Sequence, residues 1–224
     1  TSDPQVVKEA RLLSQITFDE MIELAALGAK VLHSQAVKFA HRYRVPLRVL
    51  STFKDGEGTL LTFADEEHLM PTVSGIAFDP NQAKLTIIGL PSSSKTLSQV
   101  MSALNQADID VDMMIQNVPS SQMQLDFSFT VPREAYPKAL TVTESIAKVL
   151  SAQAVHGDDK IAKLSIVGLG MKSHAGAASK MLQTLAEEGI ATHLISSSEI
   201  KISAVVDEKY LELGARALHA AFDL

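Results

Sequence analysis

No cysteine occurs among the 224 residues. That excludes disulfides, thiolate metal ligands and a cysteine nucleophile, and it fits a cytoplasmic protein. Aromatic residues make up only 5% and the formal net charge is −6. With no run of Lys and Arg to follow phosphates and little to stack on bases, the composition speaks against nucleic acid as a partner. Long apolar runs are missing too. A spanning helix needs roughly 18 or more consecutive apolar residues. The first twenty positions carry Asp3, Glu9, Asp19 and Glu20 where a signal peptide would have its apolar core. Neither a membrane partner nor export is expected. The chain opens on Thr1 rather than Met, in the middle of a motif, and is expected to be a piece of a longer protein.

What is present is ordinary globular material, 46% hydrophobic and 21% charged, enough for one large domain or two to three small ones. From Thr17 to Tyr43 the apolar residues Met21, Ile22, Leu24, Leu27, Val31, Leu32, Val37 and Ala40 recur at helical spacing, interrupted at Gly28. Thr17 followed three residues later by Glu20 forms a capping box that should start the helix. Short strands are predicted over 46–50 and 60–63. The polar stretch from Ala64 to Pro71 is the expected first domain boundary.

Beyond that stretch the sequence repeats itself. Ala83-Lys84-Leu85-Thr86-Ile87-Ile88-Gly89-Leu90 is matched by Ala162-Lys163-Leu164-Ser165-Ile166-Val167-Gly168-Leu169, each run followed by a polar turn and an amphipathic helix. Two more strands follow in each copy, over 111–117 and 125–131 and then over 192–196 and 200–206. Closing helices are predicted over about 133–150 and 208–222, with Pro137 near the start of the first, where a missing N–H is tolerated. The βαββα order predicts an α+β sandwich fold, ferredoxin-like antiparallel sheets with both helices on one face. Each copy lacks one strand. Residues 153–155 can close the first copy. Residues 73–78 have no partner there and are expected to complete the second, so that the first copy is inserted within the second. Met113, Met114 and Met123 read as flexible core filling.

Several strings carry a family resemblance. Ile16-Thr17-Phe18-Asp19-Glu20-Met21, Gly28-Ala29-Lys30-Val31-Leu32-His33 and Val45-Pro46-Leu47-Arg48-Val49 resemble the end of the catalytic domain of aspartate kinases. Met171-Lys172-Ser173-His174 followed by Gly176, Ser196-Ser197-Ser198-Glu199-Ile200-Lys201-Ile202-Ser203 and the ending Ala217-Leu218-His219-Ala220-Ala221-Phe222 resemble the second ACT domain of the same family. The resemblance implies a remnant of the amino-acid kinase domain over 1–66, a first ACT domain over 84–157, and a second ACT domain made of 73–79 plus 158–224.

It further implies the activity of the whole enzyme. With Mg, the γ-phosphoryl group of ATP passes to the side-chain carboxylate of L-aspartate, giving 4-phospho-L-aspartate on the route to lysine, threonine and methionine. Such transfer rests on positioning and charge neutralisation. Lys30 and Val31 are the implied nucleotide contacts, whereas spacing alone reads Lys30 as a solvated helix residue. Gln5 follows Thr1-Ser2-Asp3-Pro4 where the family usually continues with Arg, which removes a cation from a nucleotide-proximal loop. The family's glycine-rich phosphate loop has no counterpart here. The chain is therefore expected to hold no catalytic residue and no cofactor of its own, and to be inactive in isolation. His174 has no ligand at metal spacing, so no metal site is expected.

ACT domains take amino-acid effectors where a strand-to-helix loop offers backbone N–H groups to a carboxylate and nearby acidic or amide side chains take the ammonium. In the first copy the implied contacts are Ser92, Leu97, Asp110, Val111, Asp112 and Gln116. Ser92, Ser94 and Lys95 stand where the family has Asp, Pro and Gly, and Ser92 is placed to cap the following helix. In the second copy the implied contacts are Ala177, Ala178, Ala191, Thr192, Ser198 and Glu199, with Ala191 in the place of an Asn. Spacing alone reads 196–199 as a polar turn between strands. The implied effectors are L-lysine, L-threonine or both. The implied partners are the kinase domain of the full enzyme and a second copy of the chain, joined as a homodimer through the ACT domains. The alternatives are a stand-alone regulatory subunit, for which Met70 would be the internal start, and a dimerisation module without a ligand.

Overall fold

A computed structural model of the chain describes residues 1–53, 55–63, 73–118, 124–169, 171 and 175–224. The expected boundary stretch 64–71, Met123 and the turn residues Lys172, Ser173 and His174 lie outside them. The chain divides into unit 1, Thr1–Asp79 with Lys163–Leu224, and unit 2, Pro80–Ala162. In order, the elements are β1 (Gln15–Thr17), α1 (Phe18–Ala26), α2 (Ser34–Arg42), β2 (Leu47–Val49), β3 (Thr59–Thr62), β4 (Val73–Pro91), α3 (Thr96–Gln106), β5 (Met114–Asn117), β6 (Gln124–Pro132), α4 (Tyr136–Val149), β7 (Ala154–Gly168), α5 (Ala175–Glu187), β8 (Thr192–Ser197), β9 (Lys201–Asp207) and α6 (Leu211–Ala221). Among the described residues no helix is long and apolar enough to cross a membrane.

Unit 1 contains two sheets. The smaller has the order β1-β3-β2, with β1 parallel and β2 antiparallel to β3, over a core of Ile16, Phe18, Met21, Val37, Ala40 and Leu61. The capping box forms at the start of α1. Thr17 Oγ1 accepts the Glu20 N–H at 3.2 Å, and Glu20 Oε2 accepts the Thr17 N–H at 3.1 Å. The helical spacing from Thr17 to Tyr43, interrupted at Gly28, forms two helices, α1 and α2. Gly28 is the reason: its φ of +102° ends α1, the Ala29 N–H closes back on the Leu24 carbonyl at 3.0 Å, and a Cβ at 28 would lie 2.7 Å from the Phe78 carbonyl oxygen. The chain then needs five more residues to restart as α2.

The second sheet of unit 1 has the order β4-β7-β9-β8, with β8 antiparallel to β9. Relative to the strand that opens the βαββα run, this is the ferredoxin-like order 4-1-3-2, and residues 73–79 fill the fourth place as expected. Residues 163–168 of β7 are buried without alternation, as befits a strand covered on both faces. One of those coverings is the end of α1, since Leu27, Ala77 and Val167 form one buried cluster with Leu24 and Ile200 against it. The hydroxyl of Ser165 is satisfied within this core by Ser203, 2.8 Å away on β9.

Unit 2 has the order β5-β6-β4-β7, and β6 runs antiparallel to both β4 and β5. Leu85 and Ile87 alternate inward between half-buried Lys84, Thr86 and Ile88. They join Phe127, Phe129 and Val131 of β6, Val100 and Leu104 of α3, and Ala139 and Ala147 of α4 in one core. Each large side chain buried there contributes about 1.5–3 kcal/mol relative to exposure. Thr86 meets Ser128 at 2.9 Å, the counterpart of the Ser165–Ser203 pair in the repeat.

Several boundaries differ from the sequence expectation. Residues 73–78 and 83–90 belong to one strand, β4, and 153–155 runs on into β7. Pro80 precedes Gln82, where the pairing of β4 with β6 begins, so its missing N–H costs that ladder no bond. The strand expected from Val111 starts only at Met114. Before it the Asp112 N–H reaches the Thr130 carbonyl at 3.0 Å and the Met113 N–H reaches Thr130 Oγ1 at 3.1 Å, so a side chain takes the place of a regular ladder. Met113 is core, 7% exposed, but Met114 on the edge strand is 55% exposed. Both closing helices open with a 3-10 turn, at Arg133–Ala135 and Glu208–Tyr210.

Candidate functional site

In unit 2 the strand-to-helix loop is prepared by a bulge. The register of β4 on β6 shifts between Ile87 and Leu90, where Gly89 adopts φ +69°. The Gly89 N–H donates to Asp126 Oδ1 at 2.9 Å, and Gln153 Nε2 donates to Gln124 Oε1 at 2.9 Å. A Cβ at Gly89 would sit 2.5 Å from Gln153 Cγ. Asp126, Gln124 and Gln153 therefore make a polar rim that no motif marked; the only signal was Gly89, matched by Gly168 in the repeat. The loop itself closes on Pro91, whose carbonyl accepts the Ser93 N–H at 2.9 Å and Thr96 Oγ1 at 2.7 Å. This corrects the role given to Ser92. The N-cap of α3 is Lys95, without a side-chain capping bond, because the Ser93 and Thr96 hydroxyls already close the turn. Ser92 is exposed, and Leu97 packs half-buried against the core.

The other unit 2 candidates lie along β5. Gln116 is exposed opposite Phe127, while Asp110 and Asp112 are exposed before the strand begins, and Val111 turns into the core. Along β6, Gln124 stands beside Pro91 and Thr130 beside Asp112. Six residues of strand separate them, roughly 20 Å. The structure thus places Ser92 at one end of the sheet and Asp110, Val111 and Asp112 at the other, with Gln116 between.

Unit 1 divides its candidates in the same way. The β8–β9 hairpin is tight: the Ser198 N–H donates to the Lys201 carbonyl at 2.8 Å, and Ser198 Oγ accepts the Lys201 N–H at 3.2 Å. The Glu199 carbonyl accepts the Met171 N–H at 2.9 Å, and the Ile200 carbonyl accepts the Gly168 N–H at 2.8 Å. Ser198 and Glu199 are therefore held beside the end of β7; Ala177 and Ala178 lie in the first turn of α5, the next helix in the chain. Ala191 and Thr192 stand at the far end of β8, Thr192 opposite Val206. Beside them His193 Nε2 lies 2.7 Å from Asp207 Oδ1, and that hydrogen bond holds the Asp207 carboxyl below its ordinary range.

Lys30 and Val31 are in the turn between α1 and α2, not on a helix. Both are exposed, in a shallow open depression of about 450 Å³ lined by Ala25 and residues 28–34. Among the described residues no three His, Asp or Glu side chains converge as metal ligands.

Comparison with known proteins gives two family matches. The amino acid kinase family matches residues 1–51 and the ACT domain matches residues 164–222. The aspartate kinase of Pseudomonas putida is 52% identical over 225 aligned residues, covering 100% of this chain and 54% of that protein. The chain spans about half the length of the curated relatives it matches. A solved structure of aspartokinase alpha and beta subunits is 48% identical and covers 68% of this chain and 100% of that one, with a TM-score of 0.64. Aspartokinase III of E. coli, solved in complex with lysine and aspartate in its T-state, is 25% identical with a TM-score of 0.75, covering 99% of this chain and 49% of that one. The kinase-like helices, the two ferredoxin-like units and these similarities agree: the chain belongs to the aspartate kinase family.

Proposed function

We propose that the chain is the regulatory region of an aspartate kinase, with a kinase-domain remnant over 1–66 and ACT domains over 84–157 and over 73–79 plus 158–224. The ACT domains sense L-lysine, L-threonine or both and join two copies of the chain. The observation that carries this reading is the hold of the Ser198–Glu199 hairpin on the end of β7, through the Met171 and Gly168 N–H groups, in the segment that precedes α5 in the chain. A helix start offers N–H groups to an α-carboxylate, and Glu199 offers a carboxylate to an ammonium. The lysine complex of E. coli aspartokinase III supports the ligand class. In unit 2, Gln116 offers the amide part-way along the sheet, and Asp110 and Asp112 offer carboxylates some 20 Å from the Ser92 turn by the strand spacing. That is longer than any single amino acid, so a site using both ends draws on a second copy, which supports a homodimer.

The whole enzyme of this reading, a cytoplasmic one, phosphorylates L-aspartate with ATP and Mg. Lys30 and Val31 are the nucleotide-side contacts of this chain, which assigns no residue to the metal and is inactive alone. Isothermal titration with L-lysine, L-threonine and their mixture tests the effector reading. Saturable heat is expected, with affinity lowered about tenfold, some 1.4 kcal/mol, in Glu199→Ala or Gln116→Ala. Absence of heat from the folded protein removes the effector reading and leaves a dimerisation module. A stand-alone regulatory subunit is the second reading, favoured by the full coverage of the matched chain in the alpha and beta subunit structure.

A further inference from the structure

The effector-side hairpin and the nucleotide-side turn of unit 1 touch the same short helix. Lys201, the residue that closes the hairpin, places its Nζ 2.8 Å from Glu23 Oε2 in the last turn of α1, both side chains about two-thirds buried at 31% and 26% exposure. Ile200, next in the hairpin, packs against the cluster of Leu27, Ala77 and Val167 together with Leu24. Glu23 and Leu24 are also the residues whose carbonyls terminate α1. The Leu27 N–H bonds the Glu23 carbonyl at 2.9 Å, and the Ala29 N–H bonds the Leu24 carbonyl at 3.0 Å. The turn carrying Lys30 and Val31 hangs from those two bonds. It cannot drift on its far side either, because Gly28 lies so close to the Phe78 carbonyl that a Cβ would be 2.7 Å from it.

We infer that Glu23 is a positioning residue. Through Lys201 and Ile200, it makes the conformation of the 27–33 turn depend on that of the 198–201 hairpin. The inference rests on the effector reading of that hairpin for its trigger, but the mechanical link itself does not. A bonded pair two-thirds removed from water resists displacement more than an exposed one, and the apolar contact beside it allows no compensating slide. A hairpin shifted by an occupant at Ser198 and Glu199 therefore pulls on the last turn of α1.

The test is amide hydrogen exchange on the full 224-residue chain, comparing Glu23→Gln, Lys201→Met and the charge swap Glu23→Lys with Lys201→Glu. Each single variant is expected to speed exchange at Leu27 and Ala29 about two- to fivefold, as loss of a pair of this kind allows. Exchange in α5 and β7 stays unchanged, and the swap restores the slow rates. Unchanged rates at 27–33 in both singles overturn the inference, as does uniform acceleration across unit 1, which would mean a general loss of stability. In a second arm, saturating L-lysine or L-threonine is added. If the hairpin 198–201 becomes protected, protection must extend to 27–33 in the unaltered chain and stop at the hairpin in Glu23→Gln; a hairpin protected alone in the unaltered chain also overturns the link. If neither amino acid protects the hairpin, the effector reading fails while the charge swap still decides the link.

Discussion

Gly28 shows how much one residue can settle. An L side chain at φ +102° is strained, and its Cβ would press on a backbone carbonyl that has no rotamer with which to yield. Gly28→Ala is expected to cost unit 1 about 2 kcal/mol or more, a fall of about 4–8 °C in its thermal midpoint by calorimetry. His219 is a second such residue. It is 2% exposed, with Nε2 2.8 Å from Thr1 Oγ1, and burial first of all, with Arg11 adding to it, pulls its pKa below the ordinary value. The unfolded imidazole takes a proton near pH 6.5 that the folded one refuses. Stability is therefore full above about pH 6.5 and falls as the pH drops from there towards the folded pKa. His219→Gln should flatten urea-unfolding stability between pH 7 and 5; an equal slope in both proteins would place the acid sensitivity elsewhere. The break at Gly28 is visible in the sequence as an interruption. The Phe78 carbonyl that requires a glycine there is fifty residues away and leaves no local mark.

At the scale of elements, the internal repeat made most of both ferredoxin-like units readable. A period-two apolar run followed by a helix is a local signal, and it occurs twice. The cross-strand partners are not local, which is why the Thr86–Ser128 and Ser165–Ser203 pairs went unseen although Thr86 and Ser165 stood at matched positions. Their energetics should be asymmetric. Ser165→Ala leaves a buried Ser203 hydroxyl without this partner and is expected to cost about 1–3 kcal/mol, while Ser165→Ala with Ser203→Ala recovers most of it. Chemical denaturation of the two singles and the double closes that cycle, and additive losses would mean that another group already satisfies Ser203. The late start of β5 has the same origin. Periodicity called for a strand from Val111, but the Thr130 hydroxyl bonds the Met113 N–H and takes the place of a regular ladder. The candidate effector residues suffered likewise: their types could be named from motifs, yet only the register shows that Ser92 and Asp112 stand at opposite ends of one sheet.

For the molecule as a whole, the proposed pairing of two copies makes stability a function of concentration. The thermal midpoint should rise with protein concentration, and a saturating effector at about a hundred times its Kd should add roughly 2.7 kcal/mol. Scanning calorimetry over a hundredfold dilution series checks both, and a midpoint independent of dilution would argue for a monomer. The strand order carries a further consequence, which concerns time. Residues 73–79 leave the ribosome before unit 2, yet their neighbour in unit 1 is β7, whose share of that unit begins at Lys163. At roughly 5–20 residues per second, residues 80–162 take on the order of 4–16 s to synthesise. For that interval the first edge of the unit 1 sheet is made but unpaired, and at its end unit 2 has all its strands. A nascent chain of this protein is expected to finish its inserted part first and to close the surrounding one after it, so that the kinase-like helices acquire their support only once β7 to β9 have been made.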